Sequence, residues 1–310
     1  MQKNILLIAG GGTLGSYTAK ELLRLGHKVD VVCLEDHVSD NPNLRFFKAN
    51  ATIQYLTELF QQNHYNGIVN FIHYRNPDDY IPYHELLSRN TDHLIFLSSY
   101  RIYADLEHPI TENAPQLMNV LEDPDFFAKE TYALSKSKCE VYLNNNTCPK
   151  NWTIVRPVIS FSSRRLDIIL TSRHQVIAAA QNNEPVTLPL EAKHLTAGLD
   201  WAGNSGKLIA NLLFKPGTIG EAYTISSAQN LKWEQIADYY TELLGVRFNW
   251  EPADFPANTF HWDYDRAYDR FIDNSKVLAA TGLTKEDFTP IKEGIRIELT
   301  NLGAIPAENS

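Results

Sequence analysis

Hydrophobic residues near the start of the chain form short runs that alternate with segments of helical spacing. Residues 4–9 are a continuous apolar run bounded by glycine, which is typical of a strand buried on both faces of a parallel sheet. Residues 14–25 carry apolar side chains at helical spacing and stop at Gly26, and the β-branched segment 28–34 follows. This order of strand, glycine turn, helix and strand predicts one βαβ unit.

The same alternation continues to about residue 157. It predicts strands at 44–49, 67–73, 93–98 and 152–157, and helices at 52–63, 78–89 and 130–146. Regular alternation of this kind predicts a mostly parallel sheet with helices on both faces.

The pattern becomes less regular after residue 160. It predicts helices near 166–182, 196–213, 231–244, 274–281 and 290–300, strands at 185–188 and 222–226, and irregular structure over 250–270. We therefore expect an α/β fold: a Rossmann-like, doubly wound parallel sheet in residues 1–160. A smaller C-terminal substrate lobe is expected in residues 161–310, with some segments returning to the sheet and a cleft between the two parts.

Composition narrows the classes of partner. The chain of 310 residues is 44% hydrophobic and carries a net charge of −9, so we expect a folded protein that does not bind nucleic acid, although an acidic chain without a basic run can still carry a local basic patch. Its three unpaired cysteines and the absence of a signal-like or membrane-spanning run predict a cytoplasmic protein with no membrane partner. His73, His84 and His93 lie on different predicted elements, and we expect no metal site.

Four glycines lie in the turn after the first predicted strand, and three of them, Gly10, Gly12 and Gly15, have the spacing G-x-G-x-x-G. A G-x-G-x-x-G pattern is also found in purely structural turns, but between a strand and a helix it is typical of a dinucleotide-binding loop. The three positions permit a tight turn, close approach of a pyrophosphate, and close packing of helix on sheet. Free N–H groups at the helix start, where Thr13 and Leu14 lie, complete the predicted phosphate site.

The end of the second predicted strand bears on the choice of coenzyme. The usual position of a ribose-binding acid falls near Cys33, and the nearest acid that follows is Glu35. A 2′-phosphate requires a cation, but no arginine or lysine lies between Lys28 and Arg45. The sequence therefore favours NAD and leaves NADP open. Glu35 is either a ribose ligand or an exposed loop acid.

Tyr132 and Lys136 lie four residues apart on a predicted helix and so share one face of it. A nearby ammonium stabilises a phenolate and lowers its pKa, which allows a tyrosine to exchange a proton with a substrate hydroxyl. The spacing alone is common among surface residues. Here it follows a strand ending in Ser98-Ser99, at the sheet edge where open α/β sheets bind ligands.

With these motifs the chain resembles the extended short-chain dehydrogenase/reductases, the NAD-dependent epimerase/dehydratase group. The segments that carry the resemblance follow the family's order over nearly the whole length. They are residues 8–29, 71–74, 96–105, 109–115, 132–140, 152–158, 221–240 and 271–283.

The resemblance implies a role for five positions. Ser99 would orient the substrate, Tyr132 would act as general acid and base, and Lys136 would bind the nicotinamide ribose and lower the pKa of the tyrosine. Pro157 and Val158 would lie beside the nicotinamide. The resemblance also implies a homodimer built through helices that flank the sheet, including the helix of Tyr132.

Several positions depart from the family pattern. Ala9 replaces the first glycine of the family's loop, and Tyr74 replaces a small aliphatic residue after His73. Asn50, followed by Ala51, replaces the acid that often meets the adenine, although an amide oxygen still accepts from the base amino group. We expect Asn50, Ala51 and Tyr74 to contact the coenzyme. The other departures are an acidic insertion at 121–127 and the segment 161–164, which replaces a tyrosine-glycine pair.

Members of this family act on nucleotide-sugars, whose diphosphate requires positive charge. The arginines considered for this role, each of which could equally be a surface residue, are Arg164, Arg165, Arg173, Arg266 and Arg270. Trp262 and Tyr264 would either stack on a base or sugar or pack the lobe.

The first functional hypothesis is therefore an NAD(P)-dependent enzyme of the epimerase/dehydratase type acting on a sugar or nucleotide-sugar. The alternatives are a carbonyl reductase without a nucleotide in its substrate, and a non-catalytic relative that binds a coenzyme or RNA. The net charge weighs against RNA. The set Ser99, Tyr132 and Lys136 weighs against a non-catalytic protein.

Overall fold

The central element is a seven-stranded, all-parallel sheet. The computed structural model describes residues 1–145, 149–253 and 262–307. The strands are β1 (Asn4–Ile8), β2 (Lys28–Cys33), β3 (Leu44–Lys48), β4 (Gly67–Asn70), β5 (His93–Leu97), β6 (Trp152–Pro157), β7 (Ile159–Phe161), β8 (Pro185–Pro189), β9 (Leu199–Trp201), β10 (Ala222–Ile225) and β11 (Arg247–Glu251). The large sheet has the order β10-β6-β5-β4-β1-β2-β3.

Helices cover both faces of this sheet. They are α1 (Thr13–Arg24), α2 (Ile53–Gln62), α3 (Tyr80–Arg89), α4 (Leu117–Val120), α5 (Pro124–Lys129), α6 (Thr131–Asn145), α7 (Arg173–Asn182), α8 (Ala202–Leu212), α9 (Trp233–Leu244), α10 (Ser275–Thr281) and α11 (Ile291–Asn301).

The apolar side chains of β1 alternate between the two faces of the sheet. Ile5 and Leu7 pack with α1, α8 and α10, whereas Leu6 and Ile8 pack with α2, α3 and α6. Successive residues of a strand point to opposite faces, so a strand between two helical layers must be apolar throughout. The predicted Rossmann-like, doubly wound parallel sheet is confirmed.

Strand order creates a cleft at one edge of the sheet. The chain runs outward from β1 to β3 and then returns to β4 on the other side of β1. At such a switch point the connections leave in opposite directions, which opens a crevice at the carboxyl ends of the strands. The glycine loop after β1 and the ends of β4, β5 and β6 all lie at this edge.

The second half of the chain forms a further core beside the carboxyl edge. It gathers residues from β7, α7, α9 and α11, with Trp233, Ile295 and Phe161 among the buried side chains. Two small parallel pairs, β7 with β9 and β8 with β11, belong to it. The strand β10 instead pairs with β6 in the main sheet. The boundary at residue 160 stays a prediction.

The helix predicted near 166–182 is wrong over its first turns, because α7 begins only at Arg173. Residues 162–165 and 168–171 form two tight turns instead. Ile169 has a φ of +53°, which no helix accepts, and Ser172 caps α7 together with Gln175. Similarly, the helix predicted from 196 begins at Ala202, after the short strand β9.

Helices α4 and α5 occupy the segment that contains the acidic insertion. Phe126 of α5 is fully buried against Leu117 and Leu134. Of the segment predicted to be irregular, 250–270, positions 254–261 lie outside the described residues. In the part of the chain that the structure describes, every helix falls short of the length and apolar character needed to cross a membrane.

Candidate active site

The glycine loop joins β1 to α1, and two of its glycines, Gly12 and Gly15, meet different demands. A Cβ on Gly15 would lie 2.2 Å from the carbonyl oxygen of Gly10, so helix and loop can be this close only with glycine there. A Cβ on Gly12 would meet no atom within 4 Å. Gly12 is the N-cap of α1, whose first turn carries no acidic side chain. The loop thus presents open space next to the positive end of a helix, which suits an anion.

Ala9, where the sequence departs from the family pattern, has a φ of +55°. This left-handed conformation costs an alanine about 1 kcal/mol relative to glycine. The backbone therefore follows the path that a glycine would take, and the substitution leaves the loop's course intact.

A cleft of about 410 Å³ extends from the loop toward the ends of β2 and β3. Glu35, Asn50 and Ala51 line it, as do Cys33 and His73. The Glu35 carboxylate lies 2.9 Å from the position of a Cβ on Gly11, so it faces the loop. Three of the predicted coenzyme contacts thus share one cavity with the glycine loop.

Tyr74 differs from its prediction. Its side chain is buried, its hydroxyl accepts a hydrogen bond from Asn70 at 2.8 Å, and its ring packs against Tyr80 and Tyr83. A large aromatic ring gains more from this apolar cluster than from the open cleft. The Tyr74 side chain therefore lies in the core and not in the cleft, which the neighbouring His73 lines instead.

A second cleft, of about 490 Å³, extends from the same loop toward the ends of β5 and β6. It shares Ala9, Gly12 and Phe71 with the first cleft, so the two form one groove across the glycine loop. The residues that line only this second half include Thr13, Leu14, Gly15, Ser98, Ser99, Tyr132, Pro157, Val158 and Arg165.

Tyr132 lies in the first turn of α6 and is half-buried. Its ring contacts His73 edge-on at 4.8 Å, and the Arg101 guanidinium lies 5.3 Å from the ring centre. Burial raises the pKa of Tyr132, while the Ser99 side chain, Arg101 and Arg165 act in the opposite direction. Burial outweighs these three groups, so the pKa of Tyr132 lies above its ordinary value and the phenol keeps its proton near neutral pH.

Lys136 follows Tyr132 by one helical turn and is almost fully buried. Its Nζ donates to the carbonyl oxygen of Leu97 at 2.6 Å and to that of Ile72 at 3.4 Å, and lies 6.0 Å from the Tyr132 ring centre. Burial lowers the pKa of Lys136 to about 8. The two carbonyl groups fix the ammonium at the ends of β4 and β5, close to the phenol.

A buried network of charges, which the sequence analysis missed, supports Tyr132. Glu130 accepts from the backbone N–H groups of Tyr132 and Ala133, at 2.8 Å each, and from Arg101 at 2.7 Å. Asp265, from the second half of the chain, lies 3.7 Å from Arg101. The only signal in the sequence was an acidic residue just before the helix start, which is typical of a cap.

The five arginines considered for a diphosphate divide into two groups. Arg266 is buried in an ion pair with Asp265, and the buried Arg270 donates to the Tyr103 carbonyl at 2.9 Å. These two stabilise the interior and do not face a ligand. Arg164 and Arg165 are exposed in the turn after β7, and Arg173 donates to the backbone of Ser163 in that turn.

The aromatic residues near 262 pack within the protein. Trp262 contacts the core of the second half, while Tyr264 lies 5.0 Å from Phe126 and donates to Asp123. Of the two roles left open, packing is the one the structure supports. His261 lies outside the described residues.

One group of potential metal ligands escaped the sequence analysis. Cys33, Glu35 and His37 bring their ligand atoms within 4.8 Å of one another at the end of β2. They are close because the chain turns immediately after the strand. Cys33 and Glu35 also line the cleft beside the glycine loop, so this group belongs to the same groove.

Together, the sheet order, the glycine loop and the groove define a Rossmann-type α/β protein. No family model and no curated protein sequence matches the chain. Several solved structures are nevertheless similar to it.

An epimerase from Methanothermobacter thermautotrophicus is 15% identical, with a TM-score of 0.74, and the match covers 97% of this chain and 93% of that one. UDP-glucose 4-epimerase from Thermus thermophilus in complex with NAD is 17% identical, with a TM-score of 0.69, and the match covers 97% of this chain and 99% of that one. UDP-glucuronic acid 4-epimerase from Bacillus cereus in complex with UDP-glucuronic acid and NAD is 16% identical, with a TM-score of 0.68, and the match covers 97% of this chain and 99% of that one. At these identities the likeness shows a common fold over nearly the whole chain.

Proposed function

We propose that the protein is an NAD(P)-dependent enzyme of the epimerase/dehydratase type that acts on a sugar or nucleotide-sugar. One observation carries the proposal: Ser99 and Tyr132 line the half of the groove that continues over the open face of Gly12, and Lys136 is fixed one turn behind Tyr132. This arrangement suits a proton transfer beside a bound dinucleotide.

The groove fits a dinucleotide by its shape and by its polar groups. The space above Gly12 and the start of α1 would take the pyrophosphate, while Glu35 and Asn50 would meet the ribose and the adenine. The Ser98 hydroxyl is buried at the groove without a hydrogen-bond partner among the described residues. The bound nicotinamide would supply the hydride acceptor or donor for the reaction.

The chain's own residues would handle the proton. The Tyr132 hydroxyl would take a proton from a substrate hydroxyl or return it to a carbonyl oxygen. Burial raises the pKa of Tyr132, and Arg101 and Arg165 oppose that rise, while the Lys136 ammonium lies 6.0 Å from the ring centre. Ser99, which interacts with Tyr132, would hold the substrate oxygen within reach of the phenol.

The substrate class rests on two supports. The fold is shared with epimerases named for UDP-glucose and UDP-glucuronic acid, two of which are in complex with NAD. In addition, the exposed Arg165 lines the groove beside Tyr132, where it would meet an anionic group of a substrate.

Tyr132→Phe tests the proposal. With UDP-glucose and UDP-glucuronic acid as probes and NAD⁺ or NADPH supplied, the variant should lose turnover by about a hundredfold or more, while its affinity for the coenzyme stays that of the wild type. Tyr142→Phe, on the same helix but outside the groove, is the matched control. Equal turnover in Tyr132→Phe and the control would refute the role of Tyr132.

The coenzyme that copurifies with the protein separates the reaction types. Tightly held NAD favours epimerisation or dehydration, in which the coenzyme is regenerated. Easily exchanged NADPH favours a carbonyl reductase.

We also infer a cytoplasmic homodimer. The described cysteines, Cys33 and Cys139, are free thiols, which suits a reducing compartment. Val141 on α6 is 45% exposed, which leaves an apolar position on the helix through which the dimer would form. Sedimentation of the wild type against Val141→Glu tests this, because a charge on the interface should shift the equilibrium to monomers.

A further inference from the structure

The turn after β7 lies against the glycine loop, although the two are about 150 positions apart in sequence. The Thr13 and Ser162 hydroxyl oxygens are 2.9 Å apart. Arg164 donates through Nη1 to the carbonyl oxygen of Gly11. This turn therefore brings an arginine side chain to the loop that has the open face at Gly12.

The backbone of this turn is fixed by three sets of hydrogen bonds. Ser162 and Arg165 exchange two backbone hydrogen bonds, of 2.9 and 2.8 Å. The Ser162 hydroxyl accepts from the Arg164 N–H at 3.2 Å, and the Ser163 N–H donates to the buried Glu298 at 2.8 Å. A fixed backbone lowers the entropy lost when a side chain in the turn binds a ligand.

The Arg164 side chain lies near the position from which a Rossmann protein reads the ribose. The Cys33 and Glu35 side chains lie 2.8 and 2.9 Å from the position of a Cβ on Gly11, the residue whose carbonyl oxygen Arg164 contacts. Beyond Gly11, the N–H groups of this guanidinium have no acceptor within the described part of the chain. Arg164 is an exposed residue, so its side chain is accessible to a ligand.

We propose that Arg164 binds a phosphate group of the coenzyme. The inference rests on the function proposed above and adds a ligand that reaches the coenzyme from outside the βαβ unit. A guanidinium offers paired N–H groups that match two phosphate oxygens. Two phosphates of a dinucleotide lie near this point: the pyrophosphate above the loop and, in NADP, the 2′-phosphate at the ribose.

Arg165 provides a matched comparison within the same turn. It lines the other half of the groove and its charge acts on Tyr132. The two neighbouring arginines have the same charge and are both exposed, but Arg165 lines the groove beside Tyr132, whereas Arg164 reaches the glycine loop at Gly11. A general effect of positive charge would therefore appear in both variants, whereas a direct phosphate contact would appear in only one.

The experiment measures the dissociation constants of NAD⁺ and NADP⁺ by calorimetry for the wild type, Arg164→Met, Arg164→Lys and Arg165→Met. Arg164→Met should weaken binding about ten- to a hundredfold, the range for a charge-assisted hydrogen bond. Arg164→Lys keeps the positive charge but lacks the paired N–H groups of the guanidinium. Its affinity for the coenzyme should therefore lie between those of Arg164→Met and the wild type. Thermal unfolding without ligand verifies that each variant is folded.

The two coenzymes distinguish the two phosphates. An equal loss for NAD⁺ and NADP⁺ assigns Arg164 to the pyrophosphate, and a loss confined to NADP⁺ assigns it to the 2′-phosphate. Unchanged affinities in Arg164→Met, or an equal loss in Arg165→Met, would overturn the inference while leaving the Tyr132 test intact. A wild type that binds neither coenzyme would instead refute the proposed function.

Discussion

At the scale of single residues, the glycine loop separates stability from binding. Gly15 is confined by backbone atoms: a Cβ there would lie 2.2 to 2.6 Å from three atoms of Gly10. Gly12 is not confined by any protein atom in the described structure. One glycine thus permits the fold, while the other leaves room for a ligand.

This difference predicts opposite behaviour for two alanine variants. Gly15→Ala should lower the free energy of unfolding by about 1–3 kcal/mol or more, because backbone rather than a flexible side chain must move. Gly12→Ala should lose affinity for NAD⁺ and cost less stability than Gly15→Ala, since its Cβ meets no protein atom and only the preference for glycine at the N-cap is lost. Urea unfolding and calorimetry measure the two effects. Equal stability of the two variants would contradict this account.

Arg101 is the residue whose charge most directly affects the phenol beside it. It lies over the Tyr132 ring and lowers the pKa that burial raises. Arg101→Met should therefore move the ionisation of Tyr132 to higher pH, and Arg101→Lys should restore part of the shift.

Ultraviolet titration of tyrosinate, taken as the difference from Tyr132→Phe, measures this ionisation without a substrate. A Tyr132 titration in Arg101→Met at or below the wild-type pH would show that Arg101 serves packing alone.

At the scale of elements, helix α6 is held at its N-terminus by one carboxylate. Glu130 accepts from two free N–H groups of the first turn with one oxygen and from Arg101 with the other. The cap therefore couples the position of Tyr132 to the segment after β5. Neighbouring α5 and its buried Phe126 enclose the same region.

Glu130→Gln tests the cap. The amide oxygen can still accept from the backbone, but the amide NH₂ then faces the Arg101 guanidinium, and we expect a loss of about 1–3 kcal/mol in the free energy of unfolding. Glu122→Gln is the control, since Glu122 is exposed and lies in the same segment. Equal urea midpoints for the two variants would show that the cap adds no stability.

At the scale of the whole molecule, buried neutral histidines set the response to acid. Burial lowers the pKa of His84 and of His93 to about 4. Unfolded histidines take up protons near pH 6.5, whereas these two do so only near pH 4. The unfolded state therefore binds more protons between these values, and the protein loses stability as the pH falls through this window.

His84→Phe should reduce this acid sensitivity. Each such histidine accounts for up to about 3 kcal/mol across the window, and Phe fills a similar volume against Tyr80 and Tyr142. The Nε2 of His84 has no partner among the described residues, and its Nδ1 makes one long contact, 3.4 Å, with the buried Tyr80 hydroxyl, so His84→Phe should lower stability at pH 7 by about 1–3 kcal/mol. Thermal unfolding from pH 4 to 7 measures the slope, with His64→Phe as an exposed control. An unchanged slope would contradict the assignment.

The sequence by itself determined the βαβ order, the glycine loop and the pairing of Tyr132 with Lys136. These features depend on residues only a few positions apart. A buried strand must be apolar, a tight turn takes glycine, and residues four positions apart lie on the same face of a helix. For the same reason the helix predicted near 166–182 was wrong over its first turns, since apolar spacing does not reveal the two tight turns that precede Arg173.

Tertiary structure alone decided which distant groups meet in the groove. It placed Asp265 beside Arg101 and Arg164 beside Gly11, 153 positions away, and it turned Tyr74 into the core. Such contacts depend on how the strands are ordered and how the second half packs on the sheet edge. No local pattern encodes that packing, because it results from burying apolar surface across the whole chain.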